Sequence, residues 1–140
     1  MRRSLLILIV LAGCATPEQQ PAPEPPAPPP PLQHKENIAV AGLMESARAE
    51  TAAGNLASAA ASLERAIRIE PRNPRLWQEL ARVRLKQGQY AQAETVAARS
   101  NSWAGDDRAL RAENWRLIAE SRRARGDEEG AKAALDLSNR

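Results

Sequence analysis

Three glycines impose a period on this chain. Gly54, Gly88 and Gly126 each end a run of helix-forming residues, and each is followed five positions later by an alanine, at Ala59, Ala93 and Ala131. The glycines stand 34 and 38 residues apart, and Trp77 and Trp115 repeat the second interval. Glycine, with no Cβ, supplies the left-handed turn that closes a helix. The alanine lets the next helix approach the first closely. A period of this length describes one supersecondary unit copied along the chain. Such a unit buries its apolar face only by stacking on its neighbours.

The composition agrees with helices. There is no Phe, alanine leads the apolar residues, and Ala, Leu, Arg, Glu and Gln are strong helix formers. Apolar residues recur at helical spacing, as in Leu76, Leu80 and Val83, or Leu63, Ala66 and Ile67. The pattern predicts six helices near 37–53, 56–69, 74–87, 90–101, 107–125 and 128–138. These form three antiparallel pairs around one continuous core.

The unit from Pro74 to Asp107 carries Trp77, Leu80, Ala81, Gly88, Tyr90 and Ala93 at its fourth, seventh, eighth, fifteenth, seventeenth and twentieth positions. In the same register, Val40 to Asn73 places Leu43, Ala47, Gly54, Ala59, Leu63, Ala66 and a closing Pro71. A third unit from Ala112 has Trp115, Ile118, Ala119, Gly126, Ala131 and Leu135. This register resembles the tetratricopeptide repeat, and the resemblance covers Val40 to Arg140. It implies an all-α fold of three helical hairpins, a short α-solenoid. The departures are specific. Glu50, Arg84 and Arg122 stand where that family often has an aromatic residue. Ser100 and Ser138 replace a late alanine. Four extra residues fall somewhere in Asn101 to Arg111. The last helix is expected to act as its own cap, with Lys132, Asp136 and Asn139 outward.

The first residues read differently. Arg2 and Arg3 precede an uncharged apolar run from Ser4 to Ala12, which ends in Leu11-Ala12-Gly13-Cys14 with the sole cysteine of the chain. The run is much shorter than the ~20 residues that span a bilayer. It resembles the lipobox of bacterial lipoproteins, which implies cleavage before Cys14 and acylation there. An ordinary secretory signal or a buried first strand, with Cys14 a free thiol, is the plain alternative. Residues 1–13 are then a signal peptide, and residues 14–36 a linker. Nine prolines between Ala15 and Glu36 exclude helix and sheet, because proline lacks the N–H and fixes φ. The linker is expected to be disordered or polyproline II, a stalk reaching up to about 70 Å. The repeat domain is residues 37–140.

Loss of the leader removes two cations. The formal charge of +3 becomes 18 Lys and Arg against 17 Asp and Glu, or +1. A net charge so small does not point to nucleic acid or to an anionic-lipid binder. One cysteine allows neither an internal disulfide nor a thiolate metal cluster. The single histidine, His34, falls in the linker. With no second histidine, spare cysteine or glycine-rich phosphate loop, no catalytic residues, metal ligands or cofactor are assigned. The acid pairs Asp106-Asp107 and Glu128-Glu129 sit at helix starts, where the helix dipole favours them. The chain reads as a binding module, not an enzyme.

The tetratricopeptide resemblance implies that the first helix of each pair lines a concave groove. The residues it would present include Arg48, Arg75, Gln78, Arg82, Lys86, Arg116 and Arg123, with Glu113 and Glu120. Six cations against two acids leave a local excess of four, which suits an acidic or polar peptide. The competing reading is a solvated face whose arginines pair with neighbouring acids. Trp77 and Trp115 are expected in the core. Trp103 is expected either to plug the joint between units two and three or to stand exposed as an anchor for a partner.

Lipid, stalk and short repeat domain together resemble the LpoP-type activators, outer-membrane lipoproteins that stimulate bifunctional peptidoglycan synthases such as penicillin-binding protein 1b. Ala15, rather than Asp, follows the cysteine, which in enterobacterial sorting directs the lipid to the outer membrane. The resemblance implies a protein that faces the periplasm, with a class A penicillin-binding protein as partner. A pilot for another outer-membrane machine and a direct peptidoglycan scaffold are the rivals.

Overall fold

The structure, a computed structural model, describes residues 37–140. The leader, Cys14, the proline-rich segment and His34 lie outside the described residues. Six helices follow one another: α1 Ile38–Ala52, α2 Leu56–Ile69, α3 Pro74–Lys86, α4 Tyr90–Trp103, α5 Arg108–Ala124 and α6 Glu128–Ser138. No bound differs from its expected value by more than two residues. Each helix packs on the next, and α3 also meets α5. The result is three stacked hairpins and an all-α fold.

The helix boundaries follow from local chemistry. The side chains of Asn37, Asn73, Asp107 and Asp127 each accept a backbone N–H at the start of the following helix. Pro74 takes the first position of α3, where a missing N–H costs nothing. At the other end, Gly54, Gly88 and Gly126 have φ of +82°, +72° and +82°. The next residue then returns its N–H to a carbonyl five back: Asn55 to Glu50, Gln89 to Arg84, and Asp127 to Arg122, at 2.8, 2.9 and 3.0 Å. These three turns are the repeat read from the sequence, built in backbone hydrogen bonds.

Ala59, Ala93 and Ala131 are each fully buried. They occupy equivalent places where the second helix of a hairpin touches the first. The expected continuous core is instead two clusters. One gathers Val40, Leu63, Ile67, Leu76, Leu80 and Val83 across α1 to α3, with Trp77 half-buried against it. The other joins Ala81, Ala97, Leu117, Ile118 and Ala134 across α3 to α6, with Trp115 half-buried. Val96 touches both.

Beside them, at the joint of α3, α4 and α5, a buried polar knot replaces apolar packing. Asn114, fully buried, donates through Nδ2 to Ser100 Oγ at 2.7 Å and to Asn101 Oδ1 at 2.9 Å. Its Oδ1 accepts from Gln78 Nε2 at 3.0 Å. Ser100 Oγ then donates to the Pro74 carbonyl at 2.8 Å. The serine that departs from the repeat pattern is therefore the hinge of this knot.

The four extra residues form an added first turn of α5. That helix has 17 residues where α3 has 13, and the turns before both are four residues long. Leu110 from the added turn is buried at the joint. Trp103 does not plug it. It is the last residue of α4, 34 positions after Ile69 at the end of α2, and it is 39% exposed under the Arg72 guanidinium, 5.3 Å from the ring centroid.

Arg84 and Arg122, which stand in place of aromatic residues, tie adjacent hairpins together by charge. Arg84 on α3 pairs with Glu64 on α2 and also donates to Gln87 and Gln89. Arg122 on α5 pairs with Glu94 on α4 at 2.7 Å, and Arg125 joins the same carboxylate at 3.1 Å. Glu94 is 20% exposed, so solvent screens this bridge only partly. Replacing Glu94 by Ala removes the carboxylate from two arginines and leaves Arg122 only the Gly130 carbonyl, at 3.2 Å. The expected loss is about 1–2 kcal/mol, read as a lower midpoint in urea.

Candidate functional site

The first helices of the hairpins, α1, α3 and α5, together with Leu63 of α2, line a groove of about 560 Å³. Its floor is apolar: Ala47, Leu63, Val83 and Leu117, with Met44 and Leu85 on the walls. Its rim is charged and mixed. Arg48, Arg82 and Lys86 face Glu79 and Glu120. Three cations against two acids leave an excess of one here, where the sequence pattern suggested four across the whole face.

The expected groove residues divide. Arg48, Arg82 and Lys86 line this groove together. Gln78 does not; it is buried in the polar knot and donates to Asn114 and to the Leu110 carbonyl. It is withdrawn from the groove because the joint consumes both of its amide hydrogens. Arg75 lies at the far end of α3, 3.9 Å from Asp107. Arg116 and Arg82 converge on Glu113, at 3.3 and 3.2 Å. Arg123 faces Glu128 at 3.7 Å, and Arg48 faces Glu45 at 3.6 Å. Among the described residues, Lys86 has no carboxylate partner.

Most of the cationic excess is thus neutralised by acids within the domain. Repeat register alone finds the helix face, but not the acids that other helices bring to it. Glu79 was missed because the register assigns its position to no groove site. The floor residue Leu63 belongs to the apolar pattern of the sequence, and both it and Leu117 are buried in the core; the groove is deep enough to reach it. Arg82 also keeps a buried Nε with no acceptor among the described residues.

A stack of helical hairpins with an apolar-floored, charge-rimmed concave face is the architecture of a helical-repeat scaffold. A family model described as tetratricopeptide repeat matches residues 50–119. A solved structure, the globular C-terminal domain of P. aeruginosa LpoP, is 45% identical in sequence. It superposes with a TM-score of 0.73 and covers 74% of this chain and 98% of its own. No curated protein sequence matches. The chain belongs to the tetratricopeptide-repeat family and, within it, to the LpoP-type proteins.

Proposed function

We propose that this protein is a lipoprotein anchored in the outer membrane through Cys14. Its helical-repeat domain binds and activates a bifunctional peptidoglycan synthase, a class A penicillin-binding protein, in the periplasm. The observation that carries this reading is the 45% identity to LpoP across nearly all of that domain. The leader, lipobox cysteine and proline-rich stalk support it from the sequence. A spacer of roughly 70 Å would carry a slim domain toward a synthase in the opposite membrane. The protein does no chemistry in this reading. It binds the active conformation of the synthase more tightly than the inactive one and so shifts the population.

The groove is the proposed contact. An apolar floor with a mixed rim suits a segment that inserts an apolar side chain and flanks it with a carboxylate. Lys86, which has no carboxylate partner among the described residues, and Arg48, held only by the exposed Glu45 at 3.6 Å, are the groups left to receive that carboxylate. Arg82 and Arg116 are poor choices for charge reversal. Both hold Glu113, and turning them acidic would place three carboxylates together. Arg48→Glu with Lys86→Glu avoids this, since neither bridges hairpins. The double variant is expected to fold with stability changed by less than about 1 kcal/mol. Its binding to purified synthase should fall roughly tenfold or more, and stimulation of glycan polymerisation should fall with it. Full stimulation by a folded variant would remove the groove from the mechanism. Absence of stimulation by the wild-type protein would remove the activator function itself.

A further inference from the structure

The large apolar side chains left exposed in the described domain are Ile38, Ile69, Trp103 and Leu137, at 88, 45, 39 and 38%. They share one end of the stack. Turns of three or four residues make consecutive helices antiparallel, so the start of α1 lies with the ends of α2, α4 and α6. Ile38 opens α1, Ile69 and Trp103 close α2 and α4, and Leu137 is next to last in α6.

The arginines sort the same way. Eight are in ion pairs, and these include every arginine at the opposite end. The seven without a carboxylate partner among the described residues all belong to the end that carries the exposed apolar groups, and six of them flank Ile69, Trp103 or Leu137. Arg65 and Arg68 border a shallow depression with Ile69 and Leu43. Arg108, Arg111 and Arg140 border another with Leu137 and Trp115. Arg72 stacks on Trp103, and Arg99 on Trp77 at 5.6 Å. Four side-chain carboxylates among the described residues share this end. Glu70 accepts from Asn73, and Asp107 caps α5 and faces Arg75. Asp106 and Asp136 remain against seven cations.

We infer that this end of the domain docks on an anionic phospholipid surface. The apolar groups do not merge into a floor, as they do in the groove. Each is a single side chain on a separate helix end, and Ile69, Trp103 and Leu137 each have guanidinium groups beside them. That arrangement suits insertion at headgroup depth, where tryptophan partitions and arginine meets phosphate. The chain before Asn37 joins the domain at this same end. The inference rests on the lipid-anchor reading for bringing a bilayer near it, and is otherwise independent of the groove. Docked, the domain is held back at its own membrane; released, it is free to reach a partner. Local charge thus decides what the near-neutral net charge concealed.

The test uses the full acylated protein in phosphatidylcholine vesicles, with and without phosphatidylglycerol, carrying brominated acyl chains that quench tryptophan on contact. Quenching is expected in the anionic vesicles and not in the neutral ones. It should vanish near 1 M salt, where the Debye length is about 3 Å. Trp103→Phe should remove most of it. Arg72→Glu with Arg108→Glu should lower the docked-to-free ratio at least fivefold for each arginine, on the order of its attraction to an anionic surface. Equal quenching in both vesicles, no quenching in either, salt insensitivity, or full quenching in a folded Trp103→Phe protein overturns the inference. The salt arm needs no variant, so a misfolded substitution cannot mask the answer. If mass spectrometry finds no acyl group, the anchor reading fails separately, and co-sedimentation of the unacylated chain with the same vesicles decides the docking.

Discussion

Asn114→Ala is expected to be among the most damaging single substitutions in the domain, lowering stability by about 3–5 kcal/mol. The side chain is fully buried and makes three hydrogen bonds, to Ser100, Asn101 and Gln78. Truncation leaves one Gln78 donor and the Asn101 acceptor without partners in a site closed to water, at about 1–3 kcal/mol for each group. The cavity adds to this. Asn114→Leu should be no remedy, because an apolar isostere fills the space but satisfies nothing. A triple change of Gln78, Ser100 and Asn114 to apolar residues of similar size should recover only part of the loss: the unmet Gln78 donor leaves, but the Asn101 acceptor stays and the Leu110 and Pro74 carbonyls lose their side-chain donors. Urea unfolding of the three proteins checks this. A loss below about 1 kcal/mol for Asn114→Ala would mean that water enters the joint and replaces the amide.

Leu63→Ala is the second large effect, and it couples stability to the groove. Leu63 is 1% exposed at the centre of the first core cluster, and it also forms the groove floor. Its removal should cost about 3 kcal/mol, from lost burial and from a void that the close-packed alanines around it cannot fill. Ala59, Ala60 and Ala66 have no rotamers with which to collapse into the space. For a domain of this size the midpoint should fall by roughly 12–20 °C. Because the void opens on the groove, a small apolar molecule should bind the variant and raise its midpoint, with no such effect on the wild-type protein. A midpoint within a few degrees of wild type would show that α1 and α3 close over the gap.

Much of this was legible in the sequence for a definite reason. A helix end is a local event. Gly54, Gly88 and Gly126 announce it by tolerating positive φ, and Asn37, Asn73, Asp107 and Asp127 announce the starts by reaching their own helix N–H groups. The buried alanines recur at the same offset because close helix approach admits nothing larger. The site was legible only as a face. Register placed Arg48, Arg82 and Lys86 on the concave side, but it could not show that Glu113 on another helix takes up Arg82, or that Gln78 turns into the joint.

What the sequence determined by itself is therefore everything that depends on neighbours within about five residues: six helices, their caps, their turns and the family register. What only the tertiary structure decided depends on residues 13 or more positions apart. It divided the core at a polar knot, gave Arg84 and Arg122 their partners Glu64 and Glu94, and gathered the unpaired arginines and exposed apolar groups at one end. The reason is physical. Backbone hydrogen bonds and caps act along the chain, whereas ion pairs and packing act through space, and only the folded stack sets which side chains share that space.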